Sequence, residues 1–418
     1  MTSEERLKAL NAAFNRYRQA PFFKDRLPEK PLASLEELKS IPFMTKADLI
    51  RHSPFGMLCV PQAEVLQYHE SFGTTGTPAS TWFHRGDLRD NADQVNACGI
   101  GFRPDDTVLI RFPYAISMIA HAVHRAAQER GAAVIAASSR SAVSPFPRVI
   151  ELMGKLQVTV LAGLPLQALL LAETAELLGF RPDRDFPHLR ALLLGGEPIP
   201  PGKRRLLEDI WGVPVFTLYG MTEIGTAGAA CRCGTLHPLE DYFIFEVWQE
   251  DLTREAPPGE TGILVVTTIT DKATPVVRYV TEDRVRLIPA HCPCGHDATL
   301  EVRGRKGHTV TIGDRVLDLW DLDGLVDRLP CRRFWVVGVE PPGLRFVVET
   351  EPPVDSLPTH LIDALAREYP FPVTVDLVPK GTLYDRQELL RVGIVGKPRY
   401  IYSSDEMSAG TYLRSSKV

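Results

Sequence analysis

The clearest chemical signal in the chain is a glycine- and threonine-rich segment at residues 71–78, Ser-Phe-Gly-Thr-Thr-Gly-Thr-Pro. Glycines let backbone N–H groups approach an anion closely, and threonine hydroxyls add further donors, so the segment is typical of a phosphate-binding loop. It is not the Walker pattern, because no Gly-Lys-Ser/Thr follows. On its own, the same segment is also compatible with an ordinary turn.

A second segment with suitable chemistry is residues 218–223, Leu-Tyr-Gly-Met-Thr-Glu. The face of Tyr219 can stack on adenine, Thr222 can donate to a phosphate, and Glu223 can hold Mg²⁺. The alternative is a plain strand end followed by a turn.

Three further positions carry groups that suit a nucleotide or a developing charge. Asp283 can accept hydrogen bonds from both ribose hydroxyls, and Arg305 can reach ribose or phosphate. Lys397, on a mobile C-terminal domain, can neutralise a carboxylate and an α-phosphate. Each of these side chains, taken alone, is as compatible with a solvated surface position.

Two Cys-x-Cys pairs, each with a histidine nearby, indicate a metal site. Cys231 and Cys233 precede His237, and about fifty residues later Cys292 and Cys294 follow. Thiolates and imidazole at short spacing in two separated segments are what tetrahedral zinc prefers. The alternative is a set of free thiols.

The order of the predicted strands and helices indicates which elements position these residues. Short apolar runs at 108–110, 133–136, 158–161, 191–194 and 213–218 alternate with helix-length segments at 116–130, 147–155, 166–178 and 203–210. This alternation predicts a mostly parallel sheet covered by helices, with ligands at the carboxyl ends of its strands. Residues 195–198 and 219–223 follow two such ends. Strands at 262–268 and 284–288 belong to a smaller antiparallel unit, and residues 334–378 predict a compact ββαβ unit.

A substrate pocket is expected near glycines and apolar residues at strand ends, namely Pro113, Tyr114, Gly163, Leu164 and Gly195. Apart from Arg111, no basic residue marks this pocket. An aromatic or small apolar substrate is therefore expected, and an amino acid is left open.

Composition bounds the class of protein. The chain has 418 residues, 44% hydrophobic and 24% charged, which is ordinary for a globular protein of two or three domains. A net charge of −5 argues against non-specific nucleic-acid binding. The polar start and the lack of a long apolar run predict neither a signal peptide nor a membrane span, so a cytoplasmic location is expected. Seven cysteines, an odd number, argue against a disulfide framework.

In this order, the motifs together resemble the ANL superfamily of adenylate-forming enzymes, and within it the phenylacetate–CoA ligase branch. Residues 41–49, 71–78, 195–198, 241–243 and 274–279 carry the resemblance, which spans residues 35–310 well and 311–418 weakly. It implies an α/β fold with a large adenylation domain at 1–304, a zinc-knuckle subdomain at about 230–300, and a small, mobile α+β domain at 305–418. It also implies that a carboxylic acid is activated by ATP and Mg²⁺, and that the acyl group then passes to CoA.

The resemblance assigns a role to each motif residue. Nucleotide binding is expected at Ser71, Gly73, Thr74, Thr75, Gly76, Gly196, Glu197, Tyr219, Gly220, Thr222, Asp283 and Arg305. Catalysis is expected from Lys397, Glu223, Thr74 and Thr75, with Glu223 as the Mg²⁺ ligand. A structural zinc maps onto Cys231, His237, Cys292 and Cys294, and Cys233 is left open as a replacement for Cys231.

Three departures from the relatives affect the C-terminal part. Residues 304–308 read Gly-Arg-Lys-Gly-His, without the two aspartates of Gly-Arg-x-Asp-Asp. Residues 312–315 and 392–397 also differ from the relatives' patterns. Two alternatives therefore stay open, namely acyl transfer to a carrier protein or an amine, and a degenerate adenylate-binding protein with a regulatory role. An acyl-acceptor protein and a second copy of the chain are left open as partners.

Overall fold

The structure is a computed structural model that describes residues 1–71, 77–139, 141–331, 333–390 and 399–410. Its helices are α1 (Ser3–Tyr17), α2 (Pro21–Lys24), α3 (Lys46–His52), α4 (Arg85–Asn96), α5 (Ile119–Glu129), α6 (Phe146–Lys155), α7 (Pro165–Leu177), α8 (Pro201–Trp211), α9 (Leu319–Val326), α10 (Thr359–Glu368), α11 (Arg386–Leu389) and α12 (Ser404–Ser408).

Its strands are β1 (Val65–Glu70), β2 (Ser80–His84), β3 (Thr107–Ile110), β4 (Ala133–Ala136), β5 (Val160–Gly163), β6 (Ala191–Gly195), β7 (Val215–Met221), β8 (Gly225–Ala230), β9 (Leu236–Pro238), β10 (Phe243–Trp248), β11 (Thr261–Thr268), β12 (Tyr279–Pro289), β13 (Ala298–Arg305), β14 (Val310–Ile312), β15 (Arg315–Leu317), β16 (Trp335–Glu340), β17 (Gly343–Thr350), β18 (Val373–Pro379) and β19 (Ile401–Tyr402).

A seven-stranded sheet in the order β4-β3-β5-β6-β7-β8-β9 forms the centre of the molecule. The first five of these strands are parallel, and β8 and β9 join antiparallel. The buried strands β5 and β6 are short and wholly apolar, because helices cover both faces of a parallel sheet. The predicted α/β fold is confirmed.

Alternate residues of the central strands belong to two different hydrophobic clusters, one on each face of the sheet. Val108 and Ile110 pack with α1, α4 and α5 on one face. Leu109 packs with α6, α7 and α8 on the other face, and this second cluster also contains Phe334 and Val347 from the C-terminal part. Both faces of the sheet are therefore closed to solvent.

A four-stranded antiparallel sheet, β10-β11-β12-β13, follows the central sheet in the chain. Asp283 on β12 lies directly opposite Arg305 on β13. Buried Arg278, just before β12, joins this sheet to the segment before α3. It forms an ion pair with Glu246 at 2.9 Å and donates to the carbonyl oxygens of Lys39 and Ile41.

The C-terminal part forms a sheet in the order β18-β17-β16-β19, with α10 between β17 and β18. The predicted ββαβ unit is present, because β16, β17, α10 and β18 follow one another. No helix in the described part of the chain is long and apolar enough to cross a bilayer.

Candidate active site and metal centre

A cavity of about 1020 Å³ lies at the carboxyl ends of β3, β6 and β7. Most of the described residues assigned from the sequence line it: Ser71, Pro113, Leu164, Gly195, Gly196, Glu197, Tyr219, Gly220, Thr222, Glu223, Asp283 and Arg305. These residues come from loops and strands up to 234 positions apart in the chain, from Ser71 to Arg305. The location agrees with the rule that ligands bind at the carboxyl edge of a parallel sheet.

Two residues assigned to the acyl pocket do not line this cavity. The hydroxyl of Tyr114 lies 3.1 Å from His124 Nδ1, beside α5. Gly163 faces the stem of Arg111, which would lie 3.2 Å from a Cβ at position 163. Gly73, Thr74, Thr75, Gly76 and Lys397 lie outside the described residues.

Arg111 is a buried structural residue and does not line the cavity. Its guanidinium donates to the carbonyl oxygens of Ala137, Ser138 and Ser144, each at 2.7 Å. Burial lowers the pKa of Arg111 to about 10. Its role is to fix the loop after β4.

Two side chains converge on Asp283 at the cavity wall. The Tyr219 hydroxyl donates to one carboxylate oxygen at 2.7 Å, and Arg305 Nε donates to the other at 3.2 Å. Burial, followed by the charge of Asp283, raises the pKa of Tyr219 well above its ordinary value, so the phenol stays protonated. A carboxylate oxygen can accept more than one hydrogen bond, so Asp283 can also accept from a ligand hydroxyl.

Glu223 is 7% exposed and lies on the same cavity wall. Burial raises its pKa, and the positive charges of Arg305 and Lys46 oppose that rise. A bound cation would favour the ionised form further, so the position suits a Mg²⁺ ligand.

Lys46 is a cavity-lining residue to which the sequence assigned no role. It begins α3, where Thr45 and Asp48 form a capping box, and its side chain makes no hydrogen bond or ion pair with the described residues. The capping-box spacing inside residues 41–49 was the available signal that a helix begins there. It did not show which cavity the helix faces.

Glu197 is held by a buried lysine that also reaches the C-terminal part. Lys203 Nζ lies 3.4 Å from Glu197 and donates to the Tyr400 hydroxyl at 2.6 Å. Burial acts to lower the pKa of Lys203, but Tyr400 and Glu197 outweigh it and the pKa is raised. Lys203 thus stays charged and links the loop after β6 to the segment before β19.

A cluster of four metal-binding side chains lies at the end of the central sheet: Cys231, His237, Cys292 and Cys294. Their ligand atoms lie within 4.8 Å of one another. The Sγ atoms of Cys231 and Cys292 are 3.8 Å apart, close to the edge of about 3.8 Å in a tetrahedron with Zn–S bonds of about 2.3 Å. Cys233 is exposed and outside the cluster.

The two cysteine segments have the same backbone turn. Gly234 N–H donates to the Cys231 carbonyl and Gly295 N–H to the Cys292 carbonyl, both at 2.8 Å. Both glycines have positive φ, 77° and 94°, which a side chain would disfavour. His237 Nδ1–H donates to the Ala298 carbonyl at 2.6 Å, so its Nε2 is free to face the thiols.

Comparisons with known proteins agree with this fold. A family model described as AMP-binding enzyme matches residues 71–269. A phenylacetate-coenzyme A ligase of Thermus thermophilus is 33% identical over 304 residues, which cover 70% of this chain and 66% of that protein. A phenylacetate-coenzyme A ligase of Escherichia coli is 31% identical over 263 residues, which cover 61% of this chain and 59% of that protein.

The fold also matches a solved structure over almost its whole length. It is similar to a 2-hydroxyisobutyryl-CoA ligase in its postadenylation state, with a TM-score of 0.83 and 21% identity. The match covers 98% of this chain and 91% of that one. The chain belongs to the AMP-binding, adenylate-forming enzymes. Among the proteins it resembles in sequence are phenylacetate-coenzyme A ligases, of which it spans less than two thirds of the length.

Proposed function

We propose that this protein is an ATP-dependent, AMP-forming ligase that activates a carboxylic acid and transfers the acyl group to CoA. The acid's carboxylate attacks the α-phosphorus of ATP, and pyrophosphate leaves with the electrons of the broken P–O bond. The CoA thiolate then attacks the acyl carbon, and AMP leaves. The observation that carries the proposal is that Tyr219, Glu223, Asp283 and Arg305 face one cavity beside residues 195–197.

The nucleotide is proposed to bind along the wall formed by β7 and β12. Tyr219 supplies an aromatic face for adenine, and Asp283 accepts hydrogen bonds from the ribose hydroxyls. Arg305 contacts ribose or phosphate, and Thr222 donates to the α-phosphate. The backbone at residues 195–197 and at Gly220 borders the base, and the missing side chain at Gly196 leaves room, since an added Cβ there would meet no atom closer than 3.8 Å.

Positive charge is needed where the α-phosphorus is attacked, because both reactants are anionic. We propose that Glu223 holds Mg²⁺ and that the ammonium group of Lys46, at the start of α3, supplies a further positive charge. The glycine–threonine loop and Lys397 complete this environment, and their assignment rests on the sequence motifs alone.

The acid is proposed to lie against Pro113, Leu164 and Gly195, with Phe112 and Met118 as further apolar contacts from the cavity wall. The names of the phenylacetate-coenzyme A ligases support an aromatic acid and CoA as acceptor. The 2-hydroxyisobutyryl-CoA ligase fold leaves a smaller acid open.

We further propose that Cys231, His237, Cys292 and Cys294 hold one zinc ion. Four protein ligands fill a tetrahedral site and leave no open position, so this ion is structural. The proposed division of the chain into an adenylation domain at 1–304 and a small domain at 305–418 allows the second to rotate between the two steps.

The direct test is pyrophosphate release from Mg–ATP with a panel of aryl, aliphatic and amino acids, followed by addition of CoA. We expect acid-dependent pyrophosphate release, and AMP and thioester formation once CoA is present. Glu223→Gln should lower pyrophosphate release by at least about 100-fold, whereas exposed Glu260→Gln should not. If the acyl group of acyl-AMP passes to a carrier protein or an amine and not to CoA, the proposed activity stands but CoA is not the acceptor. A folded protein that binds ATP but releases no pyrophosphate with any acid would contradict the proposed activity.

A further inference from the structure

Two buried polar side chains beside the cavity have hydrogen-bonding groups without a partner. Thr226, 1% exposed, lines the cavity, and Gln94, 0% exposed, lies behind it on α4. Within the described part of the chain, neither the Thr226 hydroxyl nor the Gln94 side-chain nitrogen has a hydrogen-bond partner. Buried polar groups are satisfied in nearly all folded proteins, so this pair calls for an explanation.

The orientation of the Gln94 amide follows from its one bond. Gln94 Oε1 accepts from the backbone N–H of Thr226 at 3.2 Å. Since the oxygen must face that N–H, the NH₂ group is the free end. The free groups are therefore an amide donor and a hydroxyl, which together suit a hydrogen-bond acceptor.

A second amide on the same face of α4 reaches the same place. Asn91, 3% exposed, lies one helical turn before Gln94 on α4. A Cβ added at Gly225 would lie 2.3 Å from Asn91 Oδ1 and 3.1 Å from Gln94 Oε1. Gly225 lines the cavity and has a φ of 86°, so glycine is required there both by conformation and by space.

Asn91, Gln94 and Thr226 form a polar corner of the cavity, which lies next to the proposed reaction centre. Thr226 pairs with Gly220 across β7 and β8, within the segment that leads to Glu223. α4 packs on α5, and Ile119, the first residue of α5, lines the cavity together with Met118 just before it. Because Thr226 and Gly225 belong to β8 and both line the cavity, the corner lies on the β8 side of the cavity.

We infer that the acid activated by this protein carries a neutral hydrogen-bond-accepting substituent, such as a hydroxyl or carbonyl group, which bonds the Thr226 hydroxyl. Gln94 is a positioning residue that holds Thr226 through its backbone and offers a second donor. Asn91, Gln94 and Thr226 are uncharged, so a charged substituent would lack a counter-ion here. The inference rests on the proposed function and narrows its substrate class.

The test compares matched acids that differ only in this substituent. Hydroxyphenylacetates and the corresponding methylphenylacetates form one series, and hydroxylated and methylated short aliphatic acids form another. We expect at least one hydroxylated acid to exceed its methyl partner by about tenfold or more in kcat/KM for pyrophosphate release. Thr226→Val should reduce that ratio to near one, Thr226→Ser should largely retain it, and exposed Thr311→Val should leave it unchanged.

The outcomes separate this inference from the proposed function. If methyl-substituted or unsubstituted acids are preferred, or if Thr226→Val leaves the ratio unchanged, the inference is overturned while the adenylation activity stands. If no acid, in these series or in the wider panel of aryl, aliphatic and amino acids, releases pyrophosphate from the parent protein, the proposed function fails and the inference falls with it.

Discussion

Asp283 is the carboxylate on which Tyr219 and Arg305 converge, at 2.7 and 3.2 Å. Asp283→Ala should raise the KM for ATP by about tenfold or more, because it removes the proposed acceptor for the ribose hydroxyls and leaves Arg305 without its carboxylate partner. Tyr219→Phe keeps the ring and removes only the hydroxyl, so its effect should be smaller. Initial rates of pyrophosphate release at varied ATP measure both. If Asp283→Ala and the parent protein have the same KM for ATP, Asp283 is not part of the nucleotide site.

Single residues of the cavity were predictable where they belong to a short motif after a strand. Gly196 comes directly after β6 and Tyr219 lies near the carboxyl end of the neighbouring β7, so the two meet at one edge of the central sheet. Asp283 lies on β12 of the antiparallel sheet, and only its motif indicated it. Tyr114 and Gly163 have similar local patterns, but their orientation depends on which face of the loop packs on α5 and Arg111. Sequence spacing alone does not carry that three-dimensional information.

At the scale of elements, the two cysteine turns meet at the proposed zinc site, Cys231, His237, Cys292 and Cys294. Cys292→Ser should destabilise the protein by several kcal/mol and lower its zinc content, because the binding energy of a structural site is folding energy. Cys233→Ser is the matched control, since Cys233 is exposed and outside the cluster. Metal analysis and thermal unfolding, with and without a strong chelator, measure the difference. Similar losses in both variants would mean that Cys233 is a ligand after all.

The elements themselves were predicted better than their ends. The fifth strand begins at Val160 and not at residue 158, because Gln157 takes a positive φ of 51° as the chain leaves α6. The strand before Glu223 extends to Met221, three residues beyond the predicted end, because β8 pairs with it antiparallel. The two strands form a hairpin, and the small residues of β8, Gly-Thr-Ala-Gly-Ala-Ala, give no apolar alternation from which that pairing could be predicted.

His84 at the start of α4 connects three elements through charge. Its Nδ1 lies 2.5 Å from Asp87 and its Nε2 lies 3.7 Å from Asp271, which also pairs with Arg16 of α1. Asp271 and then Asp87 raise the pKa of His84 to about 9. The folded pKa exceeds the unfolded value of about 6.5, so the stabilisation is fully present below pH 6.5 and is lost as pH rises through 9.

The variant His84→Asn keeps a favourable helix cap but carries no charge. Its free energy of unfolding should be lower than that of the parent by about 1–2 kcal/mol at pH 6, and the gap should close by pH 10. Urea unfolding at several pH values measures the gap. A difference that does not change with pH would show that the ionised imidazole contributes nothing.

At the scale of the whole molecule, the C-terminal part is joined to the central sheet by a buried ion network as well as by apolar contacts. Glu173 of α7 is fully buried and lies 2.5 Å from Arg333 and 2.9 Å from Arg386. Arg386 also pairs with fully buried Glu349 of β17 at 2.5 Å. A network of this kind favours one relative position of the two parts, because each charge is satisfied only there.

Breaking this network should loosen the C-terminal part. Glu173→Gln leaves two buried guanidinium groups short of negative charge, and it should lower the free energy of unfolding by about 3–5 kcal/mol. Glu176→Gln, at a side chain that is 25% exposed, is the matched control with a smaller effect. Limited proteolysis should also cut Glu173→Gln faster near residue 305, the proposed domain boundary.

Burial acts to raise the pKa of Glu173, but Arg333 and Arg386 outweigh it and the pKa is lowered. The stabilisation is therefore present above the unfolded value of about 4.3 and is lost as pH falls below it, so the gap between the parent protein and Glu173→Gln should narrow in acid. A Glu173→Gln protein as stable and as protease-resistant as Glu176→Gln would show that apolar packing alone holds the two parts together.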